Sequence, residues 1–171
     1  LLFSSCSDYN KLLKSSDYTK KYDAAVAYYN KGEYSKSLAL LEELVSVYRG
    51  TDKAEKIMYY YAYATYLSGD YLLAGYHFSN YVKSFPASSR VEECSFMYSY
   101  CFYLESPRYS LDQTDTKNAI KELQSFINKY PSSQKVSEAN ELITKLRSKL
   151  EMKYYEIAKQ YFFLLDYKAA I

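Results

Sequence analysis

Glycine and proline are scarce in this sequence, four and three among 171 residues. An all-β chain needs turn residues at short regular intervals, so the shortage points to long helices. Tryptophan is absent and histidine occurs once, as His77. No window approaches 18 uninterrupted apolar residues, which excludes a transmembrane helix from this stretch of chain. Charge of one sign is lacking too: 22 basic against 20 acidic residues leave a net charge of +2, without the electrostatic footprint of a nucleic-acid binder. No Gly-rich phosphate loop is present, and no nucleophile stands with a base. Cys94 and Cys101 lie seven apart on one predicted helix, about 10 Å, beyond the reach of a disulfide. No histidine, aspartate or further cysteine joins them at ligand spacing, so they read as core packing and no metal or cofactor is expected. His77 falls on a second helix of a pair, where an exposed or helix-covering role is expected rather than acid–base work. The sequence therefore reads as a non-enzymatic protein.

Tyrosine is what the chain has in quantity, with 24 copies. The apolar share of 49% and the charged share of 25% suit one globular domain or a short repeat array.

A repeat emerges from the punctuation. The stretch from Ala25, AVAYYNKGEYSKSLALLEELVSVY, and that from Ala62, AYATYLSGDYLLAGYHFSNYVKSF, align at a shift of 37. Gly32-Glu33-Tyr34 falls on Gly69-Asp70-Tyr71, and Ser37, Leu41 and Leu44 fall on Ala74, Phe78 and Tyr81. In a third copy Ser99 matches Ala62, while Ala119, Leu123 and Phe126 match Ala74, Phe78 and Tyr81 after an insertion of eight residues. A fourth begins at Ala158 and Tyr161 and reaches DYKAAI. Each copy reads as two helices. Gly32 and Gly69 stop the first, a Tyr two positions later starts the second, and small residues (Ser37, Ala74, Ala119, Ala170) let the backbones approach. Pro86 and Pro131 close the second and third copies, with Arg49-Gly50 at that place in the first. The pattern resembles the tetratricopeptide repeat, in units about three residues longer than its consensus of ~34. The expected fold is all-α, a tetratricopeptide-repeat solenoid of helical hairpins occupying 19–171 as about three and a half repeats, truncated at the C-terminus.

Two departures stand out. Between Leu104 and Thr116 the third copy carries ESPRYSLDQTDT in place of a tight turn, either a functional or family-specific loop or padding. From Ser133 to about Leu165 there is no Gly, and apolar residues recur at three- and four-residue steps. That predicts one helix of about 30 residues, roughly 45 Å, acting as a strut.

In helical-repeat arrays the first helix of each pair lines a concave surface. Tyr22 and Tyr29 of the first copy, Tyr59, Tyr63 and Tyr66 of the second, and Phe96, Tyr100 and Tyr103 of the third are therefore the candidate peptide-binding groove. Tyr offers a large face and a hydroxyl at low entropic cost. Individual rings could equally fill helix–helix seams; as a set they exceed what seams need.

The string SPRYSLDQTDTKNAIKELQSFINKYPSSQ, followed by ANELITKLRSKLEMKYYEIAKQYF and DYKAAI, resembles the BamD family of the bacterial β-barrel assembly machinery. The resemblance extends from Cys6 onward, most specifically over Ser106-Pro107-Arg108-Tyr109, Leu111-Asp112-Gln113-Thr114 and Leu146 to Tyr161. It implies a scaffold that docks on periplasmic POTRA domains of the barrel subunit and receives unfolded outer-membrane proteins. A glycan-binding, lipid-anchored helical-repeat receptor is the alternative. In the family's light, Leu1 to Ser5 read as the remnant of a lipoprotein signal peptide. Phe3-Ser4-Ser5-Cys6 then marks Cys6 as the lipid anchor, and Ser7 after it permits transfer to the outer membrane. The stretch 6–18 becomes a lipid-anchored tether, with the repeats in the periplasm.

Overall fold

The computed structural model describes residues 4–170, and the side chains of 8–170. Eight α-helices and no strand occur among the described residues: α1 (Ser4–Leu13), α2 (Tyr18–Asn30), α3 (Tyr34–Val47), α4 (Ala54–Leu67), α5 (Tyr71–Ser84), α6 (Val91–Glu105), α7 (Thr114–Lys129) and α8 (Val136–Phe163). They pair as α2–α3, α4–α5 and α6–α7, as the repeat register predicts, and the fold is an all-α array of tetratricopeptide-type hairpins. The chain divides into two compact units at Val91.

The hairpins form for local reasons. Asp17 and Asp70 cap α2 and α5, their carboxylates accepting from the N–H groups of Lys20 and Leu73 at 3.0 and 3.1 Å. Gly32 and Gly69 end the first helices at φ +77° and +89°. In each case the glycine N–H and the next N–H reach back to carbonyls of the last turn, Tyr29 and Tyr28 or Tyr66 and Thr65. Leu165 takes the same place after α8 with φ +62°, its N–H donating to Phe162 and that of Asp166 to Tyr161. The turn geometry of the repeat thus persists where glycine does not. Rings meet across each of these turns, Tyr29 with Tyr34 at 5.8 Å, Tyr66 with Tyr71 at 5.6 Å and Phe162 with Tyr167 at 5.6 Å.

The small residues that mark the register in the first three copies are buried, Ala25, Ser37, Ala62, Ala74, Ser99 and Ala119, whereas Ala158 and Ala170 of the fourth are half-buried. Ser37 Oγ donates to the Ala25 carbonyl at 2.8 Å and Ser99 Oγ to the Glu122 carbonyl at 3.0 Å. Such bonds require the backbones of paired helices to lie close. Around them Leu40, Leu41, Leu44 and Ile57 fill the core of the first unit, and Leu123, Phe126, Ile143 and Leu146 that of the second. Cys94 and Cys101 are buried, and burial pushes the Cys101 thiol up to about 12.

The second and third repeats are also closed on themselves. In the second, Ser88 Oγ and Tyr81 Oη donate to Glu55 at 2.8 and 2.9 Å, and the Arg90 N–H donates to Ser88 Oγ. In the third, Ser133 Oγ donates to Glu92 at 2.6 Å and the Lys135 N–H to Ser133 Oγ. Phe126 stands where the second repeat has Tyr81, so the second donor is lost.

The stretch 6–18 is the one expected to serve as the tether. Most of it is α1, because Tyr9, Leu12 and Leu13 have apolar surface to bury against α2 and α3. Tyr9 meets the Tyr28 ring edge-on at 5.4 Å and donates to the Lys36 carbonyl at 3.1 Å. Lys21, fully buried, donates to the Leu13 carbonyl at 2.9 Å and pairs with Glu43, tying the end of α1 to α2 and α3. The expected signal remnant 1–5 and the expected lipid anchor Cys6 lie outside the residues whose side chains are described.

Three outcomes are expected. Gly69→Ala meets nothing within 4 Å, so its cost is conformational alone, about 1–2 kcal/mol in urea unfolding. The hydrogen bonds from Ser88, then Tyr81, hold Glu55 below its ordinary value of 4.5. Its contribution is therefore complete above that value and lost as pH falls through the lowered one. Glu55→Gln should cost about 1 kcal/mol near neutrality, the gap to the parent closing on acidification; an unchanged gap at pH 3 would contradict the clasp. Lys21→Met should undock α1, seen as faster tryptic cleavage at Lys11 and Lys14.

Candidate functional site

The predicted aromatic set divides between the two units, and each part has its own geometry. In the first unit the rings form a continuous run. Tyr29 meets Tyr60 at 5.0 Å, Tyr60 meets Tyr59 at 6.1 Å, Tyr59 meets Tyr63 at 4.6 Å and Tyr63 meets Tyr66 at 6.5 Å. The turn pairs Tyr29–Tyr34 and Tyr66–Tyr71 extend it at both ends. Most contacts are edge-to-face or tilted, which suits the ring quadrupole and leaves faces half-open. All these tyrosines are half-buried. Buried rings support them from beneath, Phe78 against Tyr63 at 5.0 Å and Tyr81 against Tyr59 at 6.1 Å.

Tyr22 stands apart from that run. Its ring lies under the Lys53 ammonium at 5.8 Å, and Tyr59 and Phe96 have the same arrangement at the equivalent register positions. Arg90 covers Tyr59 at 4.5 Å and Lys135 covers Phe96 at 5.0 Å. In the first three repeats, then, a cation from the closing segment sits over the ring at one register position of the first helix, Tyr22, Tyr59 or Phe96.

In the second unit Phe96 stacks on Tyr100 at 5.9 Å and Tyr100 on Tyr103 at 5.7 Å, with interplanar angles of 15° and 17°. Tyr100 and Tyr103 are half-buried, but Phe96 is only 3% exposed and belongs to the core with Phe126 and Leu123. This corrects its assignment to the open face. Without a hydroxyl to keep in water, the ring is drawn under Lys135 and against Phe126, 5.4 Å away.

Sequence reasoning missed Tyr60, Tyr34 and Tyr71 as ring partners, and the three cations. The signals were present: Tyr60 sits inside Tyr59-Tyr60-Tyr61, the other two open second helices, and Lys53 and Arg90 lie 37 apart.

The inserted loop is built rather than loose. Gln113, 4% exposed, donates through Nε2 to the carbonyls of Arg108, Leu111 and Asp112, while its Oε1 accepts from Thr116. Lys149 of α8 donates to Ser106 Oγ and carbonyl at 2.7 and 3.2 Å, and Lys153 to the Leu111 carbonyl at 2.5 Å. Burial lowers the Lys149 ammonium from its ordinary range. The loop presents Tyr109 and Leu111 outward, and Tyr109 borders a cleft of about 500 Å³ with Ile157 and Phe163 of α8.

Other chemistry-bearing residues offer less. His77 packs between Tyr61 and Tyr76, ring centroids at 4.4 and 5.5 Å, with Nε2 buried and without a hydrogen-bond partner. Burial lowers its pKa against the nearby Asp70 charge. Among the described residues no group of three or more His, Cys, Asp or Glu is placed to hold a metal, and no helix is long and apolar enough to cross a membrane.

Comparison with known proteins adds what geometry alone does not. A family model described as an outer membrane lipoprotein, YfiO, matches residues 14–171. The outer membrane protein assembly factor BamD of Helicobacter pylori (strain ATCC 700392 / 26695) is 34% identical over 64 residues, which cover 37% of this chain and 29% of that protein. The similar stretch is thus under a third of that relative's length. Because the family model spans the repeats, the built loop and the long helix alike, the chain belongs to the YfiO family of outer membrane lipoproteins.

Proposed function

We propose that this protein is a non-enzymatic scaffold in the assembly of β-barrel proteins into the bacterial outer membrane. Acylation at Cys6 anchors it to that membrane, with the repeats in the periplasm. Its partners are unfolded barrel proteins and the POTRA domains of a barrel-forming subunit. Family membership and the printed role of the Helicobacter relative support the process. The observation that carries the binding role is the run of half-buried rings from Tyr34 through Tyr29, Tyr60, Tyr59, Tyr63 and Tyr66 to Tyr71.

The physical case for an extended peptide rests on that run. Rings in contact hold one another's torsions, so little rotamer freedom is lost when a ligand lands on them. Tilted neighbours leave notches that take apolar side chains, while phenol hydroxyls serve the backbone of a segment with no sheet partner yet. Arg90 over Tyr59 adds a cation beside the run, able to attract a terminal carboxylate. A segment ending in an aromatic residue satisfies all three features.

The test is titration with such a peptide, followed by isothermal calorimetry or anisotropy. Binding should weaken about tenfold or more in Tyr59→Ala/Tyr63→Ala, by loss of two large contact faces. No binding, or no loss in the variant, rejects the run as the site. Preferential binding of an oligosaccharide, with no recovery of a POTRA-bearing protein from detergent-solubilised membranes, favours a glycan receptor instead.

A further inference from the structure

Beyond the aromatic run, the second unit carries a groove of different character. It runs between α7 and α8, has a volume of about 470 Å³, and is lined by Lys117, Lys121, Arg147, Ile120 and the polar trio Gln124, Ser125 and Asn128. All but Ile120 are exposed. Its three charged residues are all cations.

Most other cations on these helices are engaged, although Lys145 too makes no ion pair within 4.0 Å among the described residues. Lys129 lies over the Tyr130 ring, Lys159 pairs with Glu156, and Lys149 and Lys153 hold the inserted loop. Lys135, just before α8, pairs with Glu138. Lys117, Lys121 and Arg147 make no ion pair within 4.0 Å among the described residues. Two ammonium groups one turn apart on a helix face also repel, a cost that folding does not require here. The carboxylates of α7 are absent from the groove lining, which takes Lys117, Ile120, Lys121, Gln124, Ser125 and Asn128 from that helix. In a chain nearly balanced in charge, this is local and one-signed.

We propose that the groove binds an acidic segment of a partner protein in extended conformation. The geometry specifies more than sign. Lys117 and Lys121, four apart on the helix, have Cβ atoms about 5–6 Å apart. Alternate side chains of an extended strand recur at roughly 6–7 Å, so carboxylates at every second position meet both lysines at once. Arg147 on the opposite wall has the planar fork that grips a carboxylate by two hydrogen bonds. Gln124, Ser125 and Asn128 bring donors and acceptors for a peptide backbone, with Gln124 already donating to Asn128 at 3.1 Å. Ile120 supplies one apolar contact. This surface is independent of the aromatic run and of the function proposed for it.

Fluorescence anisotropy with a labelled peptide of alternating Glu and Ala tests the proposal. The peptide should bind, weakening as salt rises from about 50 to 300 mM. Lys117→Gln/Lys121→Gln/Arg147→Gln should lose about tenfold or more, with its helical circular dichroism intact. Lys117→Arg/Lys121→Arg should retain binding, as should Tyr59→Ala/Tyr63→Ala. The proposal is overturned if the peptide does not bind, if the Gln variant or a Gln-for-Glu peptide binds equally well, or if the tyrosine variant loses it. It is equally overturned if the three cations serve only to bind vesicles containing phosphatidylglycerol.

Discussion

Close approach of backbones at the helix crossings is the constraint on which this structure rests. Ala25 with Ser37, Ala62 with Ala74 and Ser99 with Ala119 leave no side-chain bulk to hold paired helices apart. Where serine is used, its hydroxyl is satisfied by a carbonyl of the neighbouring helix, so burial of a polar group adds specificity without an orphaned donor. Ridges of large residues must then lie to either side of each crossing. On one side they become the leucine and phenylalanine core; on the other, rings too bulky to enter the crossing are left half-buried along the first helices. The aromatic run is the complement of the small-residue stripe.

The same logic explains what the sequence made legible. Gly32, Gly69, Pro86 and Pro131 act through backbone restrictions that need no tertiary context, so helix ends could be read directly. The register of 37 followed, and with it the pairing of helices. The long helix α8 was readable because nothing between Val136 and Phe163 interrupts it.

What escaped depended on neighbours distant in sequence. Phe96 and Tyr59 occupy one register position, yet Phe96 is buried because Phe126 and Lys135 close over a ring lacking a hydroxyl. The docking of α1 turns on Lys21 reaching a carbonyl and a carboxylate, a use of lysine that composition does not announce. Gln113 looked like any loop residue, although its amide serves three carbonyls and one hydroxyl. Leu165 adopts a glycine conformation with no glycine to mark it.

The clasp that joins the ends of the second and third repeats to their own first helices has a mechanical consequence. Glu92 and Ser133 meet as Glu55 and Ser88 do, although they lie 41 residues apart in sequence against 33. A repeat fastened at its open end tolerates growth at its closed end. The longer loop is then held by partners of its own, Gln113 within it and Lys149 and Lys153 of α8, without disturbing the crossing.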